Sequence, residues 1–594
     1  MKNLRIRLSL LAFLLTICLT ACQPADSQPI DTTAVIETTA APVTEPAPTT
    51  LDIVKDGICQ YTIIRPEMGN ETVIGHAQKI RNQLGTLTGV YPDLGTDWVQ
   101  RNTEHNHETL EILVGLTDYS ESAEALQGIP YGDYIVKAVG NKLVINAWSE
   151  DGLSRAVTAF NKALTQNTQN QNCILPPDIN LTGTAVGIVN ELPVYTGGKI
   201  RSIYHSGDNN QVIIIDDTSA DEYAAYRKTL EDAGYTLYTE NDITGNRFAT
   251  YTNSGHVVTA GFYGYNKESR IIIEPRSTLP ALESENQYQK VVEPKFAMLG
   301  LEFMSGDSLS QNGICFIWQL SDGSFIIVDG GFNRSRDAKA IYDYMYKHAP
   351  DKNNITIASW IMTHAHGDHA GAWYQFAQNY YNRVTLEQMI GNFPSDEARE
   401  DGGLGSEGSG SSKIMKYVSN FKGAKFIKAH VGQEFFLRDA KVEILYTLES
   451  YAPNTLSYFN TSSLIFTLEI AGQRFLILGD ASNNACTITQ KMYGDYLKSD
   501  FIHAAHHGYT TGSDSLGHGG VTTVYTKAAA PVVLWPIGEQ DYANMYKRAY
   551  SAHLQNLKTT KEIIVAGSRD FSVNLPYTYG TSGQETILSL TPAA

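Results

Sequence analysis

Three histidines and an aspartate lie close together in an H-x-H-x-D-H motif at residues 364–369, directly after the apolar segment ITIASWIMT. Residues two apart at the end of a strand point the same way, so His364 and His366 can bind one metal ion. We predict that Asp368 and His369 begin the following helix, DHAGAWYQFAQNYY, and reach a second ion. The spacing therefore predicts a metal centre at a strand-to-helix corner.

Two other apolar segments end in a carboxylate, and a third is followed by histidines. Asp329 follows FIIV, and Asp480 follows FLILG. The segment DFIHAAHHG contains His503, His506 and His507. Taken alone, each aspartate would be an ordinary turn residue at a strand end, and some of these histidines would be packed or would support a ligand. Their order around the motif makes them candidates for the same centre.

Together these segments resemble the metallo-β-lactamase superfamily, whose signature is H-x-H-x-D-H. The resemblance implies an α/β fold in which a C-terminal αββα sandwich carries the site and Asp329 supports the metal-binding loop. It also implies that Asp480 bridges the ions and that His507, or alternatively His506, is the last histidine ligand. The implied metal ligands are His364, His366, Asp368, His369, Asp480 and His507 or His506.

One position departs from that family. Another histidine is expected shortly before the strand that leads to Asp480, but this chain has NTSSLIFTLEI there, with Asn460 roughly in its place. A similar exchange, with N-x-x-S-L-like and H-H-G motifs, occurs in the subgroup that includes the hydrolase domain of bacterial DNA-uptake channel proteins. Water or Asn460 would fill the gap. His430 is the nearest upstream histidine, but KAHVGQEFFL is more typical of an exposed turn before a strand.

The resemblance implies a metal-dependent hydrolase in which a metal-bridged hydroxide attacks carbon or phosphorus, with Asp368 and Asp480 as catalytic residues. The expected cofactor is a divalent metal, with two ions; zinc is the first choice, with manganese or iron as alternatives. The subgroup favours phosphoesters, in a small-molecule or polymer substrate. The alternative function is a cell-surface protein that binds carbohydrate or wall polymer and has a weak or inactive hydrolase domain. A true β-lactamase fits the departures less well.

The Gly/Ser-rich run GGLGSEGSGSS at 402–412 is predicted to be a flexible loop. No strand leads directly into it and no lysine follows at the P-loop spacing, so it is not predicted to be a phosphate cradle. A mobile lid near the metals remains an alternative for this loop.

The N-terminus has the pattern of an export signal. Basic residues precede an apolar run from Leu8 to about Thr20, which is too short to span a membrane. The run ends in LTAC, which resembles the lipobox of bacterial lipoproteins. The resemblance implies a signal peptide at 1–21 and an extracytoplasmic protein anchored to the bacterial membrane by lipid on Cys22. An ordinary signal peptide that contains a cysteine is the alternative. Residues 22–50, rich in Pro and Thr, are predicted to be a linker.

The remaining chain divides into three predicted domains. Residues 51–190 alternate strand-like and helix-like segments and predict a small α/β domain, whose layout resembles the non-catalytic N-terminal domain of several glycoside hydrolases. Residues 191–276 predict a small α+β domain, with a helix started by a capping box at Ser219–Glu222. Residues 297–594 are long enough for the one large hydrolase domain.

Charge and cysteine content argue against two classes of site. With a formal net charge of −18 and no long basic run, the chain lacks the electrostatic footprint of a general nucleic-acid binder. There is no C-x-x-C pair, which argues against a thiolate zinc site. Cys59 and Cys173 either form a disulfide after export or remain isolated buried thiols.

Overall fold

The computed structural model describes residues 50–184, 187–207, 210–305, 308–408, 410–508, 519–537, 559–565 and 570–581. The predicted signal peptide, the lipid attachment at Cys22 and the linker up to residue 49 lie outside these residues. None of the described helices combines the length and apolar character needed to cross a membrane. The described residues, which begin at Thr50, belong to one compact unit.

Residues 51–184 form a six-stranded mixed sheet with helices on both faces, beside a four-stranded sheet. Strands β6 and β7 form a hairpin across Gly140–Asn141. One face of α1 is apolar and buries Ala77, Ile80 and Leu84. The elements are β1 (Leu51–Lys55), β2 (Ile58–Cys59), β3 (Thr62–Arg65), α1 (Glu71–Thr88), β4 (Leu94–Thr96), β5 (Glu111–Val114), α2 (Ser120–Leu126), β6 (Asp133–Val139), β7 (Lys142–Ala147), α3 (Glu150–Gln166), β8 (Thr168–Gln169), β9 (Asn172–Leu175) and β10 (Asn180–Thr184).

Cys59 and Cys173 are free thiols. Both residues pair with Val54 of β1, from the two strands that flank it. Two strand spacings separate their α-carbons by roughly 10 Å, which exceeds the span of about 7 Å that a disulfide can bridge. Of the two alternatives that the sequence left open, the structure therefore has isolated thiols.

The next region is a six-stranded antiparallel sheet in the order β11-β12-β16-β15-β14-β13. The predicted capping box of Ser219 and Glu222 is present at the start of α4, which packs on one face of the sheet. On the other face, Phe248 and Tyr263 join the apolar core of the C-terminal region. The central strands are buried almost throughout because both faces are covered. The elements are β11 (Lys199–Gly207), β12 (Asn210–Asp216), α4 (Ala220–Asp232), β13 (Thr236–Ile243), β14 (Asn246–Thr252), β15 (His256–Tyr263) and β16 (Glu268–Pro275).

The C-terminal region contains an eight-stranded sheet and a seven-stranded sheet. Aromatic side chains such as Phe296, Trp318, Phe475 and Phe501 fill the space between them. Helices α5, α6 and α8 cover the outer face of the first sheet, and α9 and α10 cover that of the second. The predicted α/β class is thus confirmed. The elements are β17 (Lys295–Met298), β18 (Leu301–Ser305), β19 (Ser308–Gly313), β20 (Phe316–Gln319), β21 (Phe325–Val328), α5 (Ser335–His348), β22 (Ile355–Ile361), α6 (Gly371–Asn379), β23 (Val384–Leu386), β24 (Gln388–Gly391), α7 (Asp396–Asp401), α8 (Ser411–Val418), β25 (Lys425–Lys428), β26 (Glu434–Leu437), β27 (Ala440–Tyr446), β28 (Ile465–Ile470), β29 (Gln473–Ile477), α9 (Asn483–Tyr493), β30 (Phe501–His503), α10 (Gly519–Ala528), β31 (Val532–Trp535), β32 (Glu562–Val565) and β33 (Phe571–Asn574).

A buried charge cluster joins β16 to the C-terminal region. Glu274 lies 3.1 Å from His430 Nε2 and 3.0 Å from Lys428 Nζ, and Glu449 lies 2.8 Å from His430 Nδ1. A turn does precede β26, but the predicted exposure of His430 is wrong, because two carboxylates enclose this residue and leave it only 1% exposed. Burial alone would lower the pKa of His430, but Glu449 and Glu274 outweigh burial and raise it to about 9. In the same way His430 and Lys428 outweigh burial and lower the pKa of Glu449 to about 2.

These shifts predict how stability depends on pH. The pKa of His430 rises from an ordinary 6.5 to about 9 on folding, so its contribution is complete below pH 6.5 and is lost as pH rises towards 9. The pKa of Glu449 falls from 4.5 to about 2, so its contribution is lost as pH falls through that interval. We expect wild-type protein to lose on the order of 1–3 kcal/mol between pH 6 and pH 9.5 through His430. Urea unfolding followed by tryptophan fluorescence measures this loss.

The variant His430→Gln is expected to show a flatter pH profile over the alkaline interval. His107→Gln, an exposed histidine of the front region, is the matched control and should keep the wild-type slope. An unchanged slope in His430→Gln would contradict the assignment.

Candidate metal centre

The candidate site lies at the carboxyl ends of two pairs of parallel strands, one pair in each sheet of the C-terminal region. Asp329 follows β21, and the motif at 364–369 follows β22. Asp480 follows β29, and His507 follows β30. Because the carboxyl ends of parallel strands share an edge, residues distant in sequence converge there.

Asp368 and His369 do not begin a helix, contrary to the prediction. Helix α6 begins at Gly371, and the two residues lie in the preceding turn. The backbone N–H of Ile314 donates to the carbonyl of Asp368 at 3.1 Å, and that of Gly330 donates to the carbonyl of His369 at 2.6 Å. These hydrogen bonds tie the turn to neighbouring strand ends, so tertiary contacts position both residues.

His364, His366 and Asp480 form a first group, in which one potential ligand atom from each residue lies within 4.8 Å of the others. His364 Nε2 is 3.0 Å from His366 Nδ1 and 3.8 Å from Asp480 Oδ2. His364 and Asp480 are almost fully buried, whereas the side chain of His366 is 22% exposed.

Asp368, His369 and His507 form a second group with the same spacing limit of 4.8 Å. His507 Nε2 is 3.1 Å from Asp368 Oδ2. Asp480 Oδ1 lies 3.1 Å from His369 Nε2 and 4.0 Å from His507 Nε2, so this carboxylate stands between the two groups.

Asp329 fixes two of the histidines from outside the groups. Its Oδ2 accepts from the hydroxyl of Thr363 and from His369 Nδ1, each at 2.8 Å. Because the Thr363 hydroxyl donates to Asp329, its oxygen is free to accept from His364 Nδ1 at 3.1 Å. Both His364 and His369 therefore carry their proton on Nδ1 and turn Nε2 inward.

The other two histidines have separate outer partners. His507 Nδ1 lies 2.9 Å from the carbonyl oxygen of Pro536, which can only accept. His366 Nε2 lies 2.8 Å from Glu407 Oε1. The acceptors assign the outer proton of each ring, so Nε2 of His507 and Nδ1 of His366 are the nitrogens that face the centre.

This arrangement fits a pair of divalent cations. With both rings in the neutral form that binds metal, His364 Nε2 and His366 Nδ1 face each other at 3.0 Å with lone pairs only, a repulsive contact that a cation relieves. Burial, together with His369 and His366, lowers the pKa of His364 and keeps it in the neutral form that binds metal. Burial also acts to lower the pKa of His369. The carboxylates of Asp480 and Asp329 outweigh burial and raise this pKa, and their negative charge also attracts a metal ion.

His503 ends β30, and His506 and His507 follow it. The three histidines have different environments. His507 belongs to the second group, whereas His506 belongs to neither group and its Nε2 is 3.9 Å from Asp480 Oδ2. His503 packs edge-on against Phe316, and neither of its ring nitrogens has a hydrogen-bond partner in the described structure. Burial lowers the pKa of His503 to about 3, so it is a neutral core residue.

Asn460, at the position of the expected extra histidine, is buried. Its Nδ2 donates to the hydroxyl of Tyr458 at 3.1 Å, and its Oδ1 has no hydrogen-bond partner among the residues described. A buried amide oxygen without a described hydrogen-bond partner is compatible with metal binding. That Asn460 is a metal ligand stays a prediction.

Sequence reasoning missed Glu407. The Gly/Ser-rich run that contains it was predicted as a flexible loop, with a lid as the alternative. The structure brings Glu407 into contact with His366. The available signal was that Glu407 is the only charged residue in the run from 402 to 412.

Comparison with known proteins identifies this region. A family model for the metallo-beta-lactamase superfamily matches residues 313–452. The chain contains a metallo-β-lactamase superfamily domain. The matched segment includes Asp329, the motif at 364–369 and Glu407 and ends before Asp480 and His507, which the structure brings next to the motif.

Several solved structures are distantly similar to part of the chain. The metallo-beta-lactamase fold protein YhfI from Bacillus subtilis is 12% identical with a TM-score of 0.30, over 48% of this chain and 100% of YhfI. CmlA, a diiron β-hydroxylase from Streptomyces venezuelae, is 12% identical with a TM-score of 0.31, over 51% of this chain. The match spans 55% of CmlA, about half its length. Yeast PDE1 is 11% identical with a TM-score of 0.29, over 48% of this chain and 100% of PDE1. No curated protein sequence matches the chain.

The role of Asp329 leads to a prediction. The native Asp329 carboxylate accepts from both the Thr363 N–H and the Nδ1–H of His369. In Asp329→Asn an amide NH2 group replaces one carboxylate oxygen, so it must face one of these two N–H donors. We expect zinc affinity to fall about 10- to 100-fold, as for other partners that orient a ligand. Competition with a chromophoric chelator measures the affinity. Asp343→Asn, on the exposed face of α5, is the control, and equal affinities in the two variants would refute the role of Asp329.

Proposed function

We propose that this protein is an exported, lipid-anchored hydrolase that uses two divalent ions, zinc as the first choice, to cleave phosphoesters. The observation that carries the metal assignment is the contact of His364 Nε2 with His366 Nδ1 at 3.0 Å, with both outer nitrogens engaged by acceptors. Two imidazole nitrogens in this geometry are arranged for a cation, and in the second group His507 Nε2 lies 3.1 Å from Asp368 Oδ2.

The residues around the centre have separable roles in the proposed reaction. When bound, the ions would lower the pKa of water to give a nucleophile and stabilise negative charge on the substrate. Asp480, which stands between the groups, would be the shared ligand. Asp368 is 21% exposed, so its carboxylate can both serve as a ligand and orient the nucleophile. The 20% exposure of His506 makes it a candidate proton donor to the leaving group.

Substrate class is proposed from the departures in the motif. The Asn460 exchange and the H-H-G end resemble the subgroup with the hydrolase domain of bacterial DNA-uptake channel proteins, which supports a phosphoester. The net charge of −18 disfavours a long polyanion, so we propose a small or short phosphoester rather than bulk nucleic acid. The lipobox-like LTAC sequence supports a lipid-anchored, extracytoplasmic location.

A second candidate function is binding of carbohydrate or wall polymer by the front domains, with a weak or inactive hydrolase. The side chain of Trp98 in the front region is 68% exposed, and that of Tyr91 is 53% exposed. Exposed aromatic rings of this kind can stack on sugars. This alternative predicts retention on wall polysaccharide without turnover of any substrate by the full chain.

The first test measures metal content and phosphodiester turnover together. Purified full chain is expected to hold about two metal equivalents and to hydrolyse bis-p-nitrophenyl phosphate, since each group brings three donor residues close together. The double variant His366→Ala, Asp480→Ala should lose metal and at least about 10³-fold in rate. Elemental analysis and absorbance of the released nitrophenolate give the two readings.

A variant that removes an exposed histidine of the front region, His107→Gln, is the control and should behave as wild type. Wild-type protein without bound metal would refute the hydrolase and leave the binding function. Stoichiometric metal with rapid opening of a chromogenic lactam and no phosphodiester turnover would replace the phosphoester by a β-lactam substrate.

A further inference from the structure

Glu407 differs from the other outer partners of the site histidines. Thr363 and Asp329 lie at strand ends and are fully buried, and the partner of His507 is a backbone carbonyl. Glu407 instead comes from a glycine-rich segment, and its side chain is 39% exposed. The ring that it contacts, His366, has a side-chain exposure of 22%, against 3% or less for His364, His369 and His507.

The segment around Glu407 is nevertheless held in place by hydrogen bonds and by packing. The buried guanidinium of Arg399 donates from Nη1 to the carbonyl oxygens of Gly405 at 3.0 Å and Glu407 at 3.2 Å. Gly408 has a φ of +66°, and a β-carbon there would lie 2.0 Å from the ring of Phe459. The Phe459 ring also lies 4.9 Å from that of His366. One aromatic ring thus supports both the segment and the histidine.

The geometry points to an indirect role for the carboxylate. Glu407 belongs to neither of the two groups of close ligand atoms, and its oxygen meets the ring nitrogen of His366 that faces away from His364. Its contact favours a proton on Nε2 and leaves Nδ1 as the inward nitrogen.

We propose, on the basis of the proposed metal function, that Glu407 is a positioning residue that couples the order of segment 402–408 to metal binding by His364, His366 and Asp480. When Glu407 is in place, His366 has the tautomer and ring orientation that this group requires. Because the two equilibria are linked, ordering of the segment raises metal affinity by a certain factor, and metal in the first group favours the ordered segment by the same factor.

The test compares zinc binding by full-chain wild type, Glu407→Ala and Glu407→Gln. Glutamine keeps an oxygen that accepts from His366 Nε2, whereas alanine keeps none. We expect Glu407→Ala to weaken one zinc equivalent about 10- to 100-fold and to leave the other unchanged. Glu407→Gln should restore most of that affinity. Chelator competition gives both dissociation constants, and the visible spectrum of the cobalt-substituted protein reports the ligand geometry.

Glu400→Gln is the matched control, because Glu400 is an exposed carboxylate on the neighbouring helix α7. Gly408→Ala is a second variant, which displaces the segment against Phe459 without removing a carboxylate and should weaken the same equivalent. Hydrogen exchange of residues 402–408 adds a structural readout. Zinc is expected to slow exchange there in wild type and not in His366→Ala.

The outcomes separate the two proposals. If wild type binds no zinc, the metal function itself fails. If wild type binds two equivalents and Glu407→Ala binds both with wild-type affinity, the positioning role fails while the metal function stands. If Glu407→Gln is as weak as Glu407→Ala, the carboxylate binds the ion directly and the positioning role is overturned.

Discussion

The metal centre depends on one constraint: four histidines must each direct an unprotonated nitrogen inward. An imidazole has two nitrogens of which one carries a proton when the ring is neutral, so an acceptor outside the centre decides which one faces in. Asp329 serves two rings, directly and through Thr363, while Pro536 and Glu407 serve one ring each. The strand ends, the turn after β22 and the glycine-rich segment are the means by which the fold supplies these acceptors.

The parts of the site that the sequence predicts are those coded locally. The motif at 364–369 and the strand that precedes it are contiguous, so their chemistry and spacing are visible without a structure. Asp329 and Asp480 are recognisable because each ends a run of apolar residues. The hairpin at Gly140–Asn141 and the capping box at Ser219 are predictable for the same reason, since turn and cap chemistry depend on neighbouring residues.

What the sequence does not reveal depends on contacts between distant segments. His430 has a polar, turn-like neighbourhood in sequence, yet Glu274, from a separate sheet, encloses it. Glu407 lies in a run whose composition predicts flexibility, and only its contact with His366 gives it a role. The helical pattern after the motif extends over Asp368, but backbone bonds to Ile314 and Gly330 delay the start of α6. In each case a long-range interaction outweighs the local preference.

The outer partners of the centre also set an order of events. They come from Asp329, Thr363, Glu407 and Pro536, positions spread along most of the C-terminal region. A partly synthesised chain that ends before β31 has the H-x-H-x-D-H motif but lacks the acceptor that orients His507. Such a chain has all three residues of the first group, whereas the second group reaches its full affinity only once β31 and Pro536 are in place.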